Sequence, residues 1–173
     1  MTYSTTSPET IRVVFQDGEY NSRAVAARVC FHKLIQRIPA GEQIAQFDRA
    51  TLSSEPRYST VQTGETLHLE LNSDLLYCNH SCDPTLEFHV DQRDIRKGFA
   101  RSIRDIQEGE PLTFFYPSTE WHMAQPFECN CNAHYIAGAD SLSMEQLQVY
   151  FLNEHILRLK AASTIPAHDI DTN

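Results

Sequence analysis

The chain has 173 residues, 41% hydrophobic and 21% charged, with a net charge of −9. That length suits one domain, or one domain with a small appendage, able to bury roughly two thirds of its extended-chain surface. The acidic balance speaks against a nucleic-acid binder, which needs clustered Lys and Arg to neutralise phosphates. Apolar runs fall short of the ~18 residues of a membrane span. The opening MTYSTTSPETIRVV also lacks the basic and apolar regions of a secretory signal. The expectation is an intracellular protein, cytoplasmic or nuclear.

In chain order, Thr10 to Val14 reads as a first strand, followed by an Asp17-Gly18 turn signal. Ser22 to Ile35 is ambiguous between strand and helix. Pro39-Ala40-Gly41-Glu42 is a turn, and Gln43 to Phe47 alternates behind it. Tyr58 to Leu71 reads as a hairpin about a Gly64-Glu65 turn, closing on the strictly alternating TLHLEL. Next come the strands TLEFHV and GFARSI on either side of a DQRD turn, then RDIQEGEPLTFFY, a turn with a strand behind it. Pro117 ends that strand, and the segment to about Asp140 is irregular. Ser143 to Ala162 reads as a single helix, with Ser143 as its N-cap and Leu147, Phe151, Leu152, Ile156 and Leu159 at helical spacing. The last eleven residues are polar and expected to fray. Periodicity alone gives a mainly β domain with a C-terminal helix.

Chemistry concentrates between two of these strands. Asn79-His80-Ser81-Cys82-Asp83-Pro84 is turn-forming and polar, yet it lies between the apolar runs Leu75-Leu76-Tyr77 and Leu86 to Val90. Two units share one phrase, IQRIPAGEQIAQF and IRDIQEGEPLTFFY, each an Ile-rich lead into a Gly-Glu turn and a strand. The second ends at Tyr116, and Phe127-x-Cys129-x-Cys131 follows a few residues on. The five cysteines form an odd set without a secretion signal, which disfavours a disulfide framework and leaves thiol, core or metal roles.

The order of NHSCxP, GE-x-LTF-x-Y and the trailing cysteines resembles the SET-domain protein lysine methyltransferases across about residues 10 to 135. The resemblance implies several small β-sheets with a C-terminal pseudoknot. The SET domain would span 10–117, a post-SET-like segment 118–140, and the C-terminal helix and tail 141–173. It implies S-adenosylmethionine as cofactor, held by Asn79, His80, Tyr116 and Phe127, with Arg23 and Ala24 at the early loop. Tyr116 takes the position of the catalytic tyrosine. It further implies a zinc ion on Cys82, Cys129 and Cys131, with His134 or a water as fourth ligand because Ile136 stands where the family has a third post-SET cysteine. Cys30 and Cys78 read as core.

Other departures from the family pattern are the glycine-free NSRAVAA in place of a Gly-x-Gly turn, Leu76 for an arginine, Thr85 for an asparagine and Phe115 for an acid. The implied activity is methylation of lysine side chains, and the acidic charge would draw a basic protein or peptide. The same charge also serves solubility. Two alternatives stand beside that reading: a catalytically silent SET-like binding module, and an enzyme using the same pocket for a small metabolite.

Overall fold

A computed structural model describes residues 13–15, 32–34, 37–131 and 134–164, with the backbone alone at 13–15 and 32–34. Among them the strands, in chain order, are β1 (Val13–Phe15), β2 (His32–Leu34), β3 (Gln43–Gln46), β4 (Thr51–Ser53), β5 (Thr60–Gln62), β6 (His68–Glu70), β7 (Asn79–His80), β8 (Leu86–His89), β9 (Phe99–Ser102), β10 (Thr113–Phe114), β11 (Phe127–Glu128) and β12 (Tyr135–Ile136). They build four small sheets, β1-β2, β3-β9-β8-β10-β7, β4-β6-β5 and β11-β12. Several small sheets with a helical C-terminus are the architecture expected of a SET domain.

The five-stranded sheet carries the core. Along β8, Leu86 and Phe88 are buried while Glu87 and His89 are half-buried, the alternation of a strand with one face inward. Phe88 stacks on Phe114 at 4.0 Å and meets Phe47 edge-on at 5.6 Å. The two Gly-Glu units of the sequence meet here. Ile38 and Ile106, both buried, form an antiparallel bridge with 2.9 Å bonds in each direction. Gly41 (φ 81°) and Gly109 (φ 79°) turn the chain away from that bridge through the left-handed region, which explains a glycine at both places.

The three-stranded sheet puts Val61 and Leu69 on the core. Gln62 and His68, paired across β5 and β6, lie on its other face. There the Glu120 carboxylate accepts the Gln62 backbone N–H at 2.8 Å, and the Gln62 side chain accepts from the Trp121 N–H at 2.7 Å. The sheet is thereby tied to the chain that follows Tyr116.

Several elements differ from the sequence expectation. β4 was unmarked, and the segment 118–140, irregular by composition, contains the β11-β12 hairpin. The turn-forming Asn79-His80 makes a two-residue strand because β10 pairs with it in parallel, Thr113 opposite Asn79 and Phe114 opposite His80. The C-terminal helix is two helices, α1 (Met144–Leu147) and α2 (Glu154–Ser163). Ser143 caps α1 as expected, in a reciprocal capping box with Gln146. The break spans 148–153 and ends at Asn153, which precedes α2. The Asn153 amide donates to Phe88 O (2.8 Å) and Ser118 O (3.0 Å), and its Oδ1 accepts from Val90 N (2.9 Å). Tertiary bonds to two other elements outweigh the helical periodicity that predicted an unbroken rod.

Candidate active site

Parallel pairing of β7 with β10 sets the site. It lays the Asn79-His80 step beside the end of β10, and Ser81 N extends the ladder to Phe114 O at 3.1 Å. Immediately after β10 the chain tightens into a 3₁₀ turn, Tyr116–Ser118, with Pro117 at its start. That turn swings the Tyr116 ring inward, where its hydroxyl donates to the Cys78 carbonyl at 2.9 Å. The Tyr116 N–H donates to His80 Nδ1 at 3.3 Å. The His80 ring is walled by Tyr116 (5.4 Å between centroids), Phe115 (5.6 Å) and Phe127 (5.6 Å). Tyr116 and Phe127 meet as an aromatic corner at 5.9 Å.

Burial dominates the electrostatics. It pushes the Tyr116 phenol well above its usual range, reinforced by the nearby Cys78 thiol, so the hydroxyl stays protonated. It lowers the His80 imidazole to about 4 and raises the Cys78 thiol to about 12. At neutral pH the site therefore holds a neutral phenol, a neutral imidazole and an unreactive thiol. None of the three is a strong base.

The sulfur atoms gather on the far side of His80. Cys82 Sγ lies 3.7 Å from Cys129 Sγ and 3.5 Å from His80 Nε2. Cys131 Sγ accepts from Cys82 N at 3.4 Å. The β11-β12 hairpin brings these thiols in, with Phe127 opposite Ile136 and Cys129 N bonded to the His134 carbonyl at 2.8 Å. Ile136, in the place of the missing cysteine, is buried with Met123 and Cys129. His134 contributes its backbone there, and its side chain is exposed. The potential ligand atoms within 4.8 Å of one another belong to His80, Cys82 and Cys129 among the described residues.

Of the residues singled out by sequence, the structure thus assembles Asn79, His80, Tyr116, Phe127, Cys82, Cys129 and Cys131 around one center, while Arg23, Ala24 and Cys30 lie outside the described residues. Two contributors escaped the sequence. Cys78 acts through its carbonyl, which no side-chain pattern reveals. Tyr150 stacks on Phe115 (3.6 Å) and donates to Cys82 O (2.9 Å), yet its spacing is that of an ordinary helix residue.

Residues 35–117 match the family model of the SET domain. The chain is also 38% identical over 158 residues to Methyltransferase flvH of Aspergillus flavus, across 89% of this chain and 83% of that protein. The family match runs through Tyr116, and the relative extends it over nearly the whole length. The protein is a member of the SET-domain family of methyltransferases, enzymes that draw their methyl group from S-adenosylmethionine.

Proposed function

We propose that the protein methylates an unprotonated aliphatic amine, most simply the side chain of a lysine in a basic protein or peptide. The observation that carries this reading is the bond from Tyr116 to Cys78 O. With its hydrogen committed to that carbonyl, the phenol oxygen faces the site as an acceptor. An acceptor suits a nucleophile that still carries N–H hydrogens while its lone pair attacks. A hydroxyl nucleophile would need a base; His80 and Cys78 are weak ones, and the nearby Glu120 carboxyl is engaged by Gln62 N and Thr119 Oγ1.

S-adenosylmethionine supplies, when bound, a methyl group on a positively charged sulfur. The residues present fit it: the Tyr116–Phe127 corner offers aromatic faces to a cation, next to the half-buried Asn79-His80 strand. Tyr116 would hold the amine in line, and alignment of that kind is the main catalytic contribution this site can make to an amine that is already unprotonated. The amine, with a pKa near ~10.4 in water, gives up its proton on leaving solvent.

The cysteines fit zinc. Their 3.7 Å sulfur spacing is that of two thiolates sharing an ion with Zn–S bonds of ~2.3 Å. Cys82, Cys129 and Cys131 would hold the ion, with His134 or a water completing four ligands. Its part is to clamp the β11-β12 hairpin, and with it Phe127, onto the Asn79-His80 strand. Elemental analysis of gently purified protein should find about one equivalent of zinc; less than a tenth would reject the site.

A free small amine is the second reading, favoured by the outer edge of β5. Both of its outward N–H groups are already taken, Thr60 N by Arg57 O at 3.1 Å and Gln62 N by Glu120 at 2.8 Å. A peptide could not pair along that edge without displacing Glu120. Two measurements decide. Calorimetric titration should show binding of S-adenosylmethionine, with about 2.7 kcal/mol of stabilisation at a hundredfold excess over Kd; no heat and no stabilisation at millimolar cofactor would defeat both readings. Release of the demethylated cofactor is then assayed with a lysine-rich peptide pool and with a pool of small amines. Turnover of the peptides supports the first reading, and turnover of the amines alone supports the second.

A further inference from the structure

Hydrogen bonds on both sides of the His80 ring fix where its proton lies. Tyr116 donates its backbone N–H to Nδ1 at 3.3 Å, so Nδ1 presents a lone pair. A neutral imidazole with a bare Nδ1 carries its hydrogen on Nε2. Nε2 in turn lies 3.5 Å from Cys82 Sγ, within reach of a donor bond to sulfur. The rings of Phe115, Tyr116 and Phe127 pack around the imidazole and hold this orientation.

That arrangement conflicts with metal ligation by His80. A histidine bound to a metal through Nε2 has its proton on Nδ1 and donates it to a carbonyl, a carboxylate or water. Here an N–H donor faces Nδ1 instead. Proximity alone would make His80 a fourth ligand, since its Nε2 belongs to the cluster of atoms within 4.8 Å. The hydrogen-bond directions oppose it.

We infer that His80 is a positioning residue, a neutral two-ended tie between the sulfur of Cys82 and the backbone of Tyr116. One end accepts from the residue whose hydroxyl faces the reacting groups. The other donates to the sulfur that anchors the hairpin bearing Phe127. Placement of the thiol cluster and placement of the Tyr116 hydroxyl are then set together. The tie rests on the reading of Tyr116 as the methyl-transfer tyrosine only for its kinetic consequence.

The primary test needs no turnover. In full-length protein with 15N-labelled histidine, the His80 ring should show a protonated Nε2 and an unprotonated Nδ1, both as purified and after addition of zinc alone. A protonated Nδ1 with Nε2 on the metal would overturn the assignment. The second test uses His80→Phe, which keeps a ring of similar size and removes both bonds. If the variant folds, it should still bind one equivalent of zinc, with affinity lowered ten- to a hundredfold. Complete loss of zinc from a folded variant makes His80 a ligand and rejects the inference. In the kinetic test, His80→Phe and Cys82→Ser should each lower kcat, and the double variant should be little worse than either single one. Fully additive losses would remove the tie. Should the wild type transfer no methyl group to any amine, the functional reading fails, and the ring tautomer and zinc retention still decide this one.

Discussion

Tyr116 shows how much a single residue's role depends on its neighbours. Its place at the end of an LTF-x-Y strand was legible in the sequence, and so was the clustering of Asn79, His80 and Cys82 in one polar segment. The acceptor that fixes its hydroxyl was not, because the Cys78 carbonyl belongs to the backbone and the cysteine itself reads as an ordinary core residue. Tyr116→Phe therefore isolates the hydroxyl. The ring stays against Phe114 and Phe127, so stability and cofactor affinity should change little. Loss of one positioned polar group of this kind costs ~2.7–4 kcal/mol in other enzymes, so turnover should fall by roughly two to three powers of ten. Steady-state kinetics on any accepted amine checks this, and a variant as fast as wild type removes Tyr116 from the mechanism.

Among the elements, periodicity served the regular strands well and failed where tertiary hydrogen bonds decide the conformation. β8 and β9 follow their alternation, whereas β7 exists because β10 lies beside it and β11-β12 because a thiol-bearing hairpin packs on Tyr116. The unbroken helix expected from Ser143 is interrupted over 148–153, and Asn153 fixes where it restarts. Three side-chain bonds at that residue join β8, the Tyr116–Ser118 turn and the start of α2. Asn153 is buried, so Asn153→Ala would strand Val90 N and Phe88 O and open a small void, while Ser118 O keeps its bond from the Asn153 N–H at 3.1 Å. Each unsatisfied buried group costs about 1–3 kcal/mol, and partial relaxation brings the expected total to about 2–4 kcal/mol. Urea unfolding should show that loss. A change under ~0.5 kcal/mol, the range of an ordinary surface substitution, would mean that α2 is positioned by its apolar face alone.

On the scale of the whole molecule, the response to pH combines buried groups that act in opposite directions. Glu120 ties the three-stranded sheet to the Tyr116 segment, and burial raises its carboxyl to about 7, only partly offset by bonds from Gln62 N and Thr119 Oγ1. Its ordinary value is 4.5, so between 4.5 and 7 the folded protein binds more protons there than the unfolded chain. Its contribution is fully present below the unfolded value and is lost as pH rises through 7. His68 and His155 are both lowered by burial and do the reverse. They favour the fold above the ordinary 6.5, and that support fades as pH falls further. Glu120→Gln separates the two effects, because the amide oxygen can still accept from Gln62 N while no charge forms. The variant should be more stable than wild type at pH ~8 by about 1–3 kcal/mol, the scale set by a carboxyl raised from 4.5 to about 7 and discounted for partial exposure. Near pH ~5, where the wild-type carboxyl is protonated in the fold, the two proteins should nearly coincide. Both should weaken on further acidification, because His68 and His155 are untouched. Denaturant midpoints across pH ~5 to 8 measure these differences directly, and an advantage for the variant that did not grow with pH would show that Glu120 is charged in the native fold throughout.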